Sequence, residues 1–128
     1  MSKVVLAVDD SASIRQMVGM TLRDAGYTVI EASDGDEAFD YARRHAVDLV
    51  LADVNMPHMD GIGLIALLRT LPAYQFTPLL LLTTESSPDR KMQAKQAGAT
   101  GWMVKPFEPK QLLMTLERLL GKQSDPSS

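Results

Sequence analysis

The sequence predicts an α/β fold, a three-layer sandwich around a doubly wound, five-stranded parallel sheet with five helices. Three observations carry this. Residues 4–8, 49–52 and 79–82 are almost wholly apolar runs, as strands covered on both faces are. Between them lie segments whose apolar residues recur at helical spacing, so strands and helices alternate. A chain of 128 residues has room for five β-α units, not the eight that close a barrel.

Strand 4–8 is followed by Ser11-Ala12-Ser13, whose hydroxyls suit a helix N-cap. Ile14, Met17, Val18, Thr21 and Leu22 then repeat at helical spacing until Gly26 ends the helix. Residues 27–32 are the second strand. Asp34-Gly35-Asp36 turns into a helix with Ala38, Phe39 and Ala42 on one face; Asp34, Asp36 and Asp60 read as turn and cap residues. The third strand ends at Asp53, and a loop over 55–61 leads into a helix carrying Leu64, Ile65, Leu67, Leu68 and Leu71. Pro78 opens strand four, Pro88 takes the first position of helix four, and Gly98 closes it. Strand five is short and runs to Val104. Pro109 opens the last helix, striped by Leu112, Leu113, Leu116, Leu119 and Leu120. Residues 1–121 make one domain, and the Ser/Pro/Gln-rich stretch 122–128 is expected to be a disordered tail. In helix four, Lys91, Gln93, Lys95 and Gln96 leave only Met92, Ala94 and Ala97 for burial, so it should be the least firmly packed helix. The eight methionines read mostly as core filler on helical stripes.

Composition excludes several classes of function. There are no cysteines, so thiol catalysis, disulfides and thiolate metal sites are out. A net charge of −3 argues against nucleic acid or an anionic membrane as partner. No apolar run approaches a bilayer span, and the start is too short for a signal peptide. A cytoplasmic location is expected. His45 and His58 lack a second ligand at useful spacing and read as surface residues.

Because parallel strands share one carboxyl edge, Asp9, Asp10, Asp53, Thr83 and Lys105, each at a strand end, should meet in one crevice. A carboxylate such as Asp53 is an anionic nucleophile at neutral pH and needs no general base. Its neighbours Asp9 and Asp10 would repel it and any phosphoryl donor. A hard divalent cation such as Mg²⁺, which favours carboxylate oxygens, waters and phosphate oxygens, answers both difficulties. Thr83 could donate to one phosphoryl oxygen while Lys105 neutralises another. Alone, an Asp pair at a strand end is more often a helix cap, Lys105 a solvated loop residue, and Trp102 a packing ring. The convergence of four motifs is the functional signal.

The strings Val8-Asp9-Asp10-Ser11, Asp53-Val54-Asn55-Met56-Pro57-His58-Met59-Asp60-Gly61, Leu82-Thr83-Thr84-Glu85 and Lys105-Pro106-Phe107 resemble the receiver domain of two-component response regulators, in the same order and spacing. The likeness runs from Lys3 to about Leu120 and is strongest to single-domain chemotaxis regulators of the CheY type. It implies the flavodoxin-like strand order 2-1-3-4-5, the known order of that family. It implies Asp53 as phosphoacceptor, with Asp9, Asp10, Asp53 and the backbone carbonyl of Asn55 as ligands of Mg²⁺, for which Mn²⁺ would substitute. Thr83 and Lys105 would sense the phosphoryl group, and Trp102 stands where the family has its switch aromatic. Asn55, Thr84 and Glu85 would tune phosphate lifetime, Thr84 being bulkier than the Ala or Gly common there. The family would make the Lys105-Pro106 bond cis, whereas X-Pro bonds in general are mostly trans.

The resemblance also implies partners. A histidine kinase, of the chemotaxis type, would donate the phosphoryl group. A downstream protein, for a chemotaxis regulator the flagellar switch, would bind the face of helix four, strand five and helix five, here bearing Lys91, Lys95, Trp102, Lys110 and Met114. Lys91 and Lys95 make that face more basic than an apolar groove. With no room for an output domain after helix five, the chain is expected to act as a monomer through a protein partner, phosphorylating and dephosphorylating itself without being a turnover enzyme. The alternatives are a stand-alone receiver in a non-chemotaxis phosphorelay, an aspartyl-phosphate phosphatase of the haloacid dehalogenase type, an FMN binder, and an unphosphorylated scaffold. The phosphatase would need its second Asp two residues after the first, and Asp9-Asp10 would repel a flavin phosphate. The scaffold would lack an acidic or Lys position, and none is missing.

Overall fold

The computed structural model describes residues 3–84 and 87–121. Five parallel strands, β1 (Val4–Val8), β2 (Thr28–Ala32), β3 (Leu49–Asp53), β4 (Leu79–Thr83) and β5 (Gly101–Val104), pair in the order β2-β1-β3-β4-β5. Helices α1 (Ala12–Asp24), α2 (Gly35–Arg44), α3 (Gly61–Leu68), α4 (Pro88–Ala97) and α5 (Pro109–Leu120) alternate with them. This is the doubly wound, flavodoxin-like sheet that the sequence predicts.

Side chains of a strand alternate between its faces, so a strand with helices on both sides must be apolar at every position. Val5, Ala7, Leu49, Leu51, Leu80 and Leu82 pack with Val18 and Leu22 of α1 and with Leu112 and Leu116 of α5. Their neighbours Leu6, Val8, Val50, Ala52, Leu79 and Leu81 face the other way, onto α2, α3 and α4. The register brings the strands' carboxyl ends level: Val8 lies beside Ala32 and Ala52, Asp53 beside Leu82, and Thr83 beside Val104.

Local signals behave as read. Ser11, Asp34, Asp60 and Ser87 cap α1, α2, α3 and α4 by accepting the N–H groups of Ile14, Glu37, Gly63 and Arg90, and Pro88 and Pro109 sit in the first turns of α4 and α5. Gly98 ends α4 at φ 103°, a left-handed conformation that glycine adopts without strain.

Four readings need correction. Tyr27 is not in β2: its N–H donates to Leu22 O at 3.0 Å, so it completes the turn that ends α1. Helix α3 stops at Leu68, because Thr70 and Leu71 bond three residues back and Pro72–Tyr74 forms a 3-10 turn; Leu67 is exposed. Met92 is 58% exposed, which leaves Ala94 as the buried residue of α4. Nor are the methionines mainly core filler. Met20, Met92 and Met114 are exposed, Met17 and Met59 only pack against the core margins, and the two buried among the described residues, Met56 and Met103, lie on a loop and a strand. The expected tail, 122–128, lies outside the described residues. Among the described residues no helix is long and apolar enough to cross a membrane.

Candidate functional site

Both buried aspartates are oriented by the same local device. Asp9 follows β1, donates its N–H to Ala32 O at 3.2 Å and accepts Ser11 N–H on Oδ1 at 2.9 Å. Asp53, the last residue of β3, accepts Asn55 N–H on Oδ1 at 3.3 Å. In each case the carboxylate bonds the amide two residues on, turning the chain off the sheet edge. Asp9 is 3% and Asp53 6% exposed, while Asp10 and Asn55 face solvent. One carboxylate oxygen from each of Asp9, Asp10 and Asp53 falls within 4.8 Å of the others.

Lys105 enters from the end of β5. Its N–H donates to Thr83 O at 2.7 Å, and its Nζ stands 2.8 Å from Asp9 Oδ2 and 3.3 Å from Asp53 Oδ1. The side chain is only 12% exposed, so it is not a solvated loop lysine. The Lys105–Pro106 bond is cis. Burial, then the charge of Asp9, push the Asp53 carboxyl above its ordinary value, against the opposing pull of Lys105 and the Asn55 amide. Three clustered carboxylates against one ammonium leave an excess of negative charge. The donors are hard oxygens, two acids are buried, and Asp10 and Asn55 open the cleft to water. That set fits Mg²⁺, which binds a few carboxylates and keeps several waters.

Thr83 ends β4 fully buried, and Thr84 beside it is exposed. Glu85 lies outside the described residues. Trp102, Lys91 and Lys95 do not join the acidic cluster. They line a groove of about 430 Å³ between α4 and β5, with Ala94, Ala99 and Gly101. Trp102 is half-buried, and its indole N–H is buried without a hydrogen-bond partner among the described residues. Lys110 and Met114 of α5 are exposed. His45 and His58 are exposed, and neither joins the carboxylate cluster.

Three further residues shape the site: Gly61, the last residue of the Asp53 string, and Arg15 and Arg90, which lie outside the four strings. A Cβ on Gly61 would collide with the main-chain oxygen of Asp53, so glycine lets α3 begin against the backbone of Asp53. Arg15 donates to Asp9 O at 2.6 Å, and Arg90 of α4 reaches Asp60 at 3.7 Å. A glycine eight residues past the acid is the sequence signal for the first; the arginine contacts depend on packing.

A family model for the response regulator receiver domain matches residues 5–117. Among solved structures, the chemotaxis protein CheY4 of Vibrio cholerae superposes with a TM-score of 0.91 at 53% identity, over 94% of this chain and 100% of that one. The receiver domain of a sensor histidine kinase from Pseudomonas aeruginosa, solved with a magnesium ion coordinated in its active site cleft, is similar at 27% identity and TM-score 0.87, covering 94% and 99%. The transcriptional regulatory protein ResD of Bacillus subtilis is 35% identical over 96% of this chain, which spans 50% of the length of ResD.

Proposed function

The chain belongs to the response regulator receiver domain family, and on that premise we propose that it is a phosphorylation-driven switch whose phosphoacceptor is Asp53. The observation that carries this is the meeting of Asp9, Asp10, Asp53 and Lys105 at one sheet edge. A carboxylate oxygen of Asp53 attacks the phosphorus of a phosphohistidine on a histidine kinase. The P–O bond forms as the P–N bond breaks, and the imidazole leaves. Asp9, Asp10, Asp53 and the backbone carbonyl of Asn55 would hold Mg²⁺, or Mn²⁺ in its place, which when bound neutralises the repulsion among carboxylates and phosphoryl oxygens. Lys105 already sits on Asp53 and has only to swing its ammonium onto a phosphoryl oxygen. Thr83 donates its hydroxyl to another.

Relay to the surface rests on Trp102 and α4. As Thr83 is drawn toward the phosphoryl group, Trp102 turns and the α4 face is repopulated toward a partner-binding state. The indole N–H, which has no partner among the described residues, leaves the ring unlatched on that side, and α4 buries only Ala94. The exposed Thr84 shields the phosphoryl group, with Asn55 and Glu85 tuning its hydrolysis, so Thr84→Ala should quicken dephosphorylation. The protein phosphorylates itself from small donors and loses the group again, without turning over an external substrate.

The 53% identity to CheY4 over the whole of that solved chain favours chemotaxis. The phosphoryl donor would then be a chemotaxis histidine kinase in the cytoplasm. The α4–β5–α5 face, with Lys91, Lys95 and Trp102, would signal as a monomer to the flagellar switch. The half-length match to ResD favours a second reading, a receiver serving transcriptional control. Incubation with acetyl phosphate and Mg²⁺ should add one phosphoryl mass to the wild type and none to Asp53→Asn. Absence of the adduct with every donor overturns the proposal. A phosphoryl mimic with Mg²⁺ should change the fluorescence of Trp102, and a flat titration removes it from the switch.

A further inference from the structure

We propose that Arg15 is a positioning residue for the acidic cluster, aimed by Glu31; the inference rests on reading that cluster as a Mg²⁺ site. Arg15 lies on α1 with its side chain 19% exposed. Its Nη1 donates to the main-chain carbonyl of Asp9 at 2.6 Å, while its Nε stands 3.5 Å from Glu31 Oε1 on β2. The other oxygen of Glu31 lies 3.2 Å from Arg23 Nη1, and Arg23 Nη2 donates to Val29 O at 3.0 Å. Glu31 is therefore gripped from two sides. Gly19 leaves room for the grip: a Cβ there would come 2.9 Å from Arg23 Nη1 and 3.2 Å from Glu31 Oε2.

The carbonyl that Arg15 holds belongs to the peptide joining Asp9 to Asp10. That peptide is planar, so fixing its oxygen fixes the direction in which the chain delivers the next residue. Asp9 is thus tied at three places, N–H to Ala32, Oδ1 to Ser11 and C=O to Arg15. The side chain of Asp10 is exposed and takes its aim from the peptide plane before it. A partly exposed ion pair such as Arg15–Glu31 adds little stability. Groups behind metal ligands act instead on affinity, by holding donors in place before the ion arrives.

The test is calorimetric titration of Mg²⁺ into wild type, Arg15→Ala, Arg15→Lys and Glu31→Gln, with each variant's thermal midpoint measured separately in EDTA. Arg15→Ala should bind Mg²⁺ about tenfold more weakly. Glu31→Gln should lose less, and Arg15→Lys, which keeps a donor but not the fork, should fall between wild type and Arg15→Ala. Equal affinity in wild type and Arg15→Ala overturns the inference, as does a lowered midpoint with unchanged affinity, the mark of a merely structural role. If Arg15→Ala does not fold, Glu31→Gln decides by the same criterion. Wild type that binds no Mg²⁺ at all instead removes the Mg²⁺ reading on which the inference stands.

Discussion

Helices α4 and α5 stand on opposite faces of the edge strand β5, one with Ala94 as its buried residue and the other with Leu112 and Leu116 fully enclosed. Helix α5 is held along its length by apolar burial, each enclosed leucine contributing roughly 1.5–3 kcal/mol. Helix α4 is held at its ends by arginines. At its carboxyl end Arg69 donates to Gly98 O from Nε and Nη2 at 3.0 and 2.8 Å, to Tyr74 O and Thr77 O from Nη1, and to Thr100 Oγ1. At its amino end Arg90 makes the longer 3.7 Å contact to Asp60, the residue that caps α3 after the loop that follows Asp53. A helix pinned by polar contacts at two points can be shifted by small electrostatic changes, whereas one keyed into a close-packed core cannot.

The sharpest way to break this contrast is truncation in the middle of each helix. Leu116→Ala should destabilise the protein by about 2–5 kcal/mol in denaturant titration. Met92→Ala on α4 should stay within about 0.5 kcal/mol. Similar losses from both would mean that α4 is packed after all. Next in size, Arg69→Met should lose about 1–3 kcal/mol by stranding carbonyls that its guanidinium satisfies, and amide exchange should rise in the carboxyl half of α4 but not in α5. If exchange rises equally in both helices, Arg69 is a general core residue and not the anchor of α4.

Asp53 supplies a control outside both helices. Its carboxyl is raised in the folded, metal-free protein, so the folded state binds that proton more tightly than the unfolded chain. The stabilising contribution is full below the ordinary carboxylate range and is lost as pH rises through the raised folded value. Asp53→Asn should therefore raise the metal-free thermal midpoint at neutral pH and flatten its fall across that interval; an unchanged pH profile would contradict the assignment. Of the two arginines the smaller effect is Arg90→Ala, about 0.2–1 kcal/mol globally. Its signature is faster exchange in the amino half of α4, opposite to the end loosened by Arg69→Met, and exchange unchanged there would remove the amino-terminal tether.

The sheet was readable because a strand buried on both faces has no polar position to spare, as the β3 run Leu49-Val50-Leu51-Ala52 illustrates. The acids were readable for the complementary reason: Asp9 and Asp53 interrupt apolar runs where the strands end. What escaped depends on distance in space. Whether Met92 is covered turns on how closely α4 approaches the sheet, and its spacing in the sequence cannot say. The 3-10 turn at Pro72–Tyr74 is short, and it is seated by the buried Tyr74 hydroxyl, which lies 2.7 Å from Ala42 O and 2.8 Å from His45 O on a distant segment.

By itself the sequence determined the alternation of strands and helices, the strand ends at which the chemical groups stand, and most of the caps, since these follow from hydrophobic period and from side chains bonding amides two or three residues away. Tertiary structure alone decided that Lys105 bridges Asp9 and Asp53, that Glu31 aims Arg15 at the Asp9 carbonyl, and that α4 hangs from Arg69 and Arg90. Long flexible cations find their partners only after the backbone has folded, because their reach exceeds any local repeat and their choice is set by which carboxylates and carbonyls the packed elements bring near.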